Sequence, residues 1–401
     1  MPPRSHARPW LRVVLLLGAA AAAAATAATP STGVIEALTN VKGALQHTYD
    51  LKDSTGLQMA SLHLLPQTEG ATPKDRTYHA VYMSMLPKAL WEVRVANSTD
   101  LVHWTFHRKL LPNADMPYAH QLENGWILLV HEQWMKISPG PGSEEPSRLG
   151  FKLYYSLSDL LAGRHFNSYV APLTVGTHSS LEGTPNIYNA TLVERDGLLM
   201  VDAQIGFHYN DEKGVDTVAH GSLTSFGPTS KEAEIGWVTA SATGYDAAFK
   251  KVGCVGNIGQ RDAGELGGKA VVMQEGNTAH MPPTVWAEWK LWLYMPAAGE
   301  GEDVFGPKGP SGAGSITELK PVTDHGSTAF GNPSFKIVPC PVSTLQLQQE
   351  EEGGETGTET EAGAEQCVFV SFFAFGEGAA PGEAGVVAFF NRAPTALTAA
   401  V

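Results

Sequence analysis

The sequence is short of charge, of cysteine and of long apolar runs. Only 17% of its 401 residues are Asp, Glu, Lys or Arg, against roughly 25% in an average globular chain. Because 43% are apolar, the low charge is not that of a disordered polymer, and there is material for a sizeable core. Basic residues are scarcer than acidic ones, 27 against 41, for a net charge of −14. No basic stripe is available to follow a phosphate backbone, so nucleic acid is not an expected partner. The three cysteines, Cys254, Cys340 and Cys367, are too few for a disulfide-stapled miniprotein and lack zinc-ligand spacing. His131-Glu132 has no second histidine one helical turn on, where Met135 stands, so a zincin site is excluded. A Gly-x-Ser-x-Gly elbow and a Walker loop are also missing. No cofactor is expected, and the question of a metal stays open.

The longest apolar run is Val13 to Ala25, which follows Arg4, Arg8 and Arg12 and leads into Ala25-Thr26-Ala27. A basic start, a short apolar stretch and small residues are the order of an export signal. The run is too short for a membrane span of about 20 residues. Residues 1–28 are therefore read as a signal peptide, 29–49 as an N-terminal segment, and the mature chain as secreted, free of the membrane and monomeric. In an oxidising compartment Cys340 and Cys367 are expected to pair. There Asn97-Ser98-Thr99 and Asn189-Ala190-Thr191 also fit the N-glycosylation pattern.

What is abundant is turn material, 42 Gly and 26 Pro, between short runs rich in β-branched and aromatic residues. Trp91–Ala96, Trp126–Glu132, Phe151–Ser156, Trp289–Tyr294 and Cys367–Phe375 are examples. Gly, Pro, Asn, Asp or Ser bound most of them, which is the signature of strand and turn. Helical periodicity is confined to about Gly33–His47. Residues 138–147 and 298–314 read as Gly/Pro-rich insertions, and 346–366 as a solvated acidic one. Five polar segments recur near strand starts: Asp53-Ser-Thr-Gly56, Tyr118-Ala-His-Gln121, Leu181-Glu-Gly-Thr-Pro185, Gly259-Gln-Arg-Asp262 and Phe330-Gly-Asn-Pro333. Their spacing of about 70 residues fits blades of three or four strands. The expected fold is all-β, a single five-bladed propeller over 50–401 preceded by a short helix. A sandwich plus a second domain is the competing arrangement at this length.

Val93-Arg-Val-Ala-Asn-Ser-Thr-Asp-Leu-Val-His-Trp104 resembles the strand followed by Ser-x-Asp-Leu-x-x-Trp that closes the first blade of the five-bladed propeller glycoside hydrolases. These are the arabinanases, β-xylosidases, arabinofuranosidases and the invertase/levansucrase branch. Glu182-Gly183-Thr184-Pro185 is similar to their Glu-Gly-Pro motif with one residue inserted, and Gly125-Trp126 to their second-blade element. The resemblance covers roughly Asp50 to Val218. It implies a carbohydrate substrate and makes Glu182 a general acid. It also asks for an Asp in the first blade as base, for which Asp53 is the candidate, with Asp50 behind it. The second-blade Asp that tunes the acid has no match where His120 and Gln121 stand, although Asp115 lies a few residues upstream. His120, Gln121, Arg261, Asp262 and Asn332 are candidate sugar contacts. Each also has a structural reading: a core histidine, an inter-blade ion pair, a turn. A structural or protein-interaction propeller with no sugar pocket is one reading, and the two that engage carbohydrate are a glycoside hydrolase of plant- or algal-type saccharides and a non-catalytic sugar-binding propeller. They differ in whether a second carboxyl group faces Glu182 across a polar pocket.

Residues 346–366 carry seven Glu and no aromatic residue, too little apolar surface to offset the entropy of ordering them. Replacing them with a short Gly-Ser link is expected to leave the melting temperature nearly unchanged. A large drop in a thermal melt would show that the segment packs.

Overall fold

A computed structural model describes residues 32–65, 76–87, 90–135, 147–175, 182–210, 215–279, 286–296, 314–341, 365–375 and 385–394. The first blade is β2 (Ala60–Leu64), β3 (Tyr78–Leu86), β4 (Leu90–Ser98) and β5 (Thr105–Pro112). The second is β6 (Ala114–Gln121), β7 (Ile127–Trp134), β8 (Ser147–Tyr154) and β9 (Asn167–Val170). The third is β10 (Glu182–Arg195), β11 (Leu198–Asn210), β12 (Asp216–Phe226) and β13 (Gly236–Ser241). The fourth is β14 (Ile258–Leu266), β15 (Lys269–Asn277), β16 (Trp289–Met295) and β17 (Ser315–Leu319). The fifth is β18 (Phe330–Pro339), β19 (Gln366–Ala374) and β20 (Gly385–Arg392), completed by β1 (Gln46–Thr48) from the other end of the chain. Each blade is a four-stranded antiparallel sheet, and the first strand of each packs against the first strand of the next, β18 returning to β2. This is a five-bladed β-propeller.

The core is five layers, one between each pair of neighbouring blades. Strand β19 shows why. Val368, Val370 and Phe372 point into the layer shared with the fourth blade, while Cys367 and Phe369 point into the layer shared with the first. Successive side chains on a strand leave by opposite faces. A blade covered on both faces therefore needs a nearly continuous apolar run, which Cys367-Val-Phe-Val-Ser-Phe-Phe supplies with one buried serine, Ser371. The remaining layers gather Phe151, Phe207 and Phe226 between blades two and three, Val81 and Leu129 between one and two, and Tyr245, Phe249 and Trp292 between three and four.

Ring closure corrects two expectations. The helix expected over Gly33–His47 is α1 (Thr32–Thr39) only. The chain beyond it becomes β1, paired antiparallel with β20 through Gln46 opposite Phe390. The boundary at residue 50 therefore separates nothing, because residues 29–49 include a strand of the last blade, and Val34 and Leu38 of α1 enter a core layer. Two helices without strong sequence periodicity also occur. In α2 (Leu157–Ala162) the Ser156 side chain accepts the Asp159 N–H as an N-cap and Gly163, in the left-handed region, closes the C-terminus,. The other, α3 (Thr243–Lys251), plugs the layer between blades three and four with Tyr245 and Phe249. Residues 1–28, 138–146, 346–364 and most of 298–314 lie outside the described residues. No helix among the described residues is long and apolar enough to cross a membrane.

Cys340 and Cys367 form a disulfide that closes a separation of 27 residues at the start of β19. By loop entropy such a closure contributes about 3 kcal/mol. Changing both cysteines to serine is expected to lower the unfolding free energy by that amount in urea titrations. An unchanged midpoint would show that the fifth blade holds its register without the link.

Candidate functional site

All five inner strands carry the same irregularity near their starts. The ladder skips between Ala60 and His63, Asp115 and Tyr118, Gly183 and Asn186, Ile258 and Arg261, and Gly331 and Ser334. In four of them the residue just after the skip begins is non-glycine with positive φ: Ser61 at 46°, Met116 at 43°, Thr184 at 50° and Asn332 at 50°. Left-handed backbone costs a non-glycine residue roughly 1–2 kcal/mol, and strain of this kind collects where a ring of strand ends must present groups to a ligand. In three blades the next residue is proline: Met116-Pro117, Thr184-Pro185 and Asn332-Pro333. The five bulges define one level at one end of the propeller axis.

Blade two carries two carboxyl groups near this level, Asp115 and Glu132, and blade three carries one, Glu182. Asp115 lies in the β6 bulge and is the ladder partner of Glu132 on β7. Glu132 Oε2 reaches into blade three and accepts the Thr184 N–H at 3.0 Å. Glu182, one residue before the β10 bulge, accepts the N–H groups of Thr174 and Val175 on Oε1 at 2.6 and 2.8 Å. All three are buried. Burial, followed by the Glu132 charge, holds the Asp115 carboxyl well above the usual range. Burial also raises Glu132 and Glu182, against the donors they bind and, at Glu182, the nearby Arg148 charge. Asp115 keeps one oxygen for the Trp134 indole N–H at 3.1 Å, while its Oδ1 has no hydrogen-bond partner among the described residues. Asp115 and Glu132 are cross-strand partners, and the Glu132 charge disfavours ionisation of Asp115,.

Below the bulges the axis is filled. The His63 and Tyr118 rings lie 3.8 Å apart. Asp262 accepts from Tyr118 Oη and Ser334 Oγ at 3.0 Å each, and from the N–H groups of Phe335 and Ala263. His63 Nδ1 stands 3.9 Å away. Four blades thus converge on Asp262, whose role is to join them. Burial raises its carboxyl against its four donors and the Lys336 charge, and burial holds His63 well below the usual imidazole value.

The structure separates the residues the sequence grouped. Asp53 precedes β2 and bridges to Trp104, and its contacts all lie in the first blade. Oδ1 accepts from Thr55, and Oδ2 takes the Tyr82 hydroxyl at 2.6 Å and Arg94 Nη1. Arg94 also bonds Glu92 and covers the Phe106 ring. Of the five polar segments, the one at Asp53 therefore belongs to the blade rather than to the inner strand. His120 and Gln121 close β6, five and six residues past Asp115. At roughly 3.3 Å per residue they lie at the far end of the strand. Asn332 is a bulge residue at the carboxylate level, its N–H given to Glu275. Arg261 takes part in the β14 ladder opposite Gln274. Asn189 is exposed on β10 and Asn97 half-buried on β4. Among the described residues no group of three or more His, Cys, Asp or Glu side chains is arranged to hold a metal.

Asp115 and Glu132 are the members that sequence reading left out of the site. The legible signal was Asp-Met-Pro at 115–117, in step with Gly-Thr-Pro at 183–185 and Gly-Asn-Pro at 331–333. Glu132 had none, since a Glu on a second strand looks like any other.

No protein-family model and no curated protein sequence matches this chain. Solved structures with a similar fold include an α-L-arabinanase of Cellvibrio cellulosa in complex with arabinohexaose, at 9% identity over 82% of this chain and 90% of that one, TM-score 0.42. An α-L-arabinofuranosidase of Lactobacillus brevis matches at 10% over 83% and 90%, TM-score 0.43. A family 117 glycoside hydrolase of Zobellia galactanivorans matches at 10% over 90% and 92%, TM-score 0.43.

The Asp53 contacts give a pH test. Burial raises its carboxyl, but the Thr55 and Tyr82 hydrogen bonds and the Arg94 charge outweigh it and leave it below the usual value. A carboxyl lowered on folding stabilises above its unfolded pKa of about 3.9, and the contribution disappears as pH falls through the folded value. Asp53→Asn is expected to cost about 3 kcal/mol at pH 7, with the gap to wild type closing below pH 4. A gap that stays constant down to pH 3 would show that the cost is not ionic.

Proposed function

We propose that the protein is a secreted glycoside hydrolase of plant- or algal-type saccharides, with Glu182 as general acid. The observation that supports this most is the buried Glu182 beside the β10 bulge, at the end of the axis where Asp115 and Glu132 of the preceding blade are also buried. Cleavage of a glycosidic bond needs one carboxyl that keeps its proton to give to the leaving oxygen and another that activates water or attacks carbon. Burial raises the Glu182 carboxyl, which favours the protonated form that an acid requires. Asp53 fits the second role poorly, because both of its oxygens are already held within the first blade. Export and glycosylation at Asn97 and Asn189 belong to the same reading.

One observation favours the other reading, a propeller that binds sugar without cleaving it. Glu182 is only 1% exposed, and one of its oxygens is fixed by two backbone N–H groups. In that case the carboxyl anchors the chain at Thr174 and Val175 and meets no leaving group.

A panel of chromogenic glycosides and plant and algal polysaccharides comes first, followed by Glu182→Gln on whichever substrate is turned over. General acid help amounts to about 10²–10⁴-fold, so kcat is expected to fall by that factor on a poor leaving group and by less on a nitrophenyl glycoside. Equal hydrolysis of the poor-leaving-group substrate by wild type and Glu182→Gln removes Glu182 from the role. Sugar binding without turnover, changed only several-fold by the substitution, supports the binding reading.

A further inference from the structure

We infer that Glu132 is a positioning residue for Glu182: from blade two it clamps the β10 bulge and so fixes the backbone that carries the acid. The inference rests on the hydrolase reading. It starts from Gly183, which separates Glu182 from the left-handed Thr184. A Cβ on Gly183 would lie 2.0 Å from Glu132 Oε2, so the carboxylate occupies the space a side chain there would take. The same oxygen accepts the Thr184 N–H at 3.0 Å. Glu132 is 4% exposed, so this bond forms away from water, where a charged acceptor binds an N–H about twice as strongly as a neutral one. The acceptor compensates the backbone strain of Thr184, φ 50°, where a side chain of blade two bonds the bulge of blade three.

The device occurs twice. On β15, Glu275 accepts the N–H of Asn332, the left-handed residue of the β18 bulge, and a Cβ on Gly331 would lie 2.8 Å from its Oε2. In each case a Glu on the second strand of one blade packs on the glycine of a Gly-x-Pro bulge in the next. In the fourth-to-fifth pair the residue before that glycine is Phe330, and in the second-to-third pair it is Glu182. One clamp therefore serves the architecture alone and the other also sets a carboxyl group. Glu182 is then held from two sides. Its carboxylate is fixed by Thr174 and Val175, and its backbone is fixed by Glu132 through Gly183 and Thr184. Glu132 touches the bulge rather than a bound sugar, so its loss acts on the rate of the chemical step and leaves substrate affinity nearly alone. A displacement of about 1 Å at a catalytic group is enough for a 10²-fold loss.

The test compares wild type with Glu132→Gln, Glu132→Ala, Gly183→Ala and Glu275→Ala, reading steady-state kinetics and the amide hydrogen exchange of Thr184 and Asn332. In Glu132→Ala kcat is expected to fall 10- to 100-fold with KM within threefold, and Thr184 to exchange at least tenfold faster. Glu132→Gln keeps a carbonyl acceptor and is expected to recover most of both. Should Glu132→Ala fail to fold, Gly183→Ala displaces the same carboxylate by a single methyl and is expected to give the same kcat loss. Glu275→Ala is expected to speed exchange at Asn332 and not at Thr184. Unchanged Thr184 exchange in Glu132→Ala overturns the inference whatever the activity, and so does a loss carried by KM with kcat intact. Faster exchange in a protein that hydrolyses nothing on the panel removes the hydrolase reading and reduces Glu132 to a clamp of the fold.

Discussion

The propeller depends on what closes its axis, and the closing contact is the buried carboxylate of Asp262. Five sheets that pack side by side leave a hole where their first strands meet, and apolar side chains on the blade faces do not point into it. Asp262 fills it from blade four and takes donors from blades two and five, with His63 of blade one at the edge of reach. A buried carboxylate without donors would be strongly unfavourable, and one with four is a rigid joint. Apolar layers hold neighbouring blades together pairwise. Asp262 makes the positions of blades two, four and five one problem, because moving blade two or blade five removes a donor from the same group.

That joint decides where chemistry is possible. With His63, Tyr118, Asp262 and Ser334 filling the axis in the middle of the inner strands, the two ends of the propeller become separate environments. The bulge end holds Asp115, Glu132 and Glu182. The other end of β6 holds His120 and Gln121. Residues that alternate along one inner strand thus serve different places, and a linear motif such as Tyr118-Ala-His-Gln121 spans the plug and one mouth without belonging to a single site.

The fold was legible because its causes are repetitive. Apolar runs bounded by Gly and Pro, returning at a roughly constant interval, leave few architectures. The sandwich alternative fails only on the polar residues at regular strand starts. The site was half legible. Glu182 stood out because Gly183 and Pro185 give it a recognisable neighbourhood. Asp53 stood out because the resemblance asks for a first-blade Asp, and what the sequence did not show is that one of its oxygens is held by Tyr82 and Arg94 from 29 and 41 residues away. Contacts at that separation leave no local trace. Glu132 was invisible for the same reason, since what makes it special is a glycine and a left-handed residue 51 and 52 residues downstream, in another blade.

The bulges explain why such long-range partners recur. An inner strand that ran regularly would turn successive side chains to its two blade neighbours and offer the axis only its edge. Inserting residues into the ladder re-aims the strand, and the left-handed residue turns its N–H out of the sheet. At Thr184 and Asn332 that N–H finds its acceptor on the second strand of the preceding blade. Where that strand supplies a Glu, the bulge glycine must stay bare to admit it, which couples the identity of residue 183 to residue 132 and of residue 331 to residue 275. Where Asp115 occupies the position of that glycine, the space holds a carboxyl group of its own blade instead. The alternation of Gly and Asp at this one place sets Asp115 beside Glu132 within blade two and leaves Gly183 of blade three bare to receive the same Glu132.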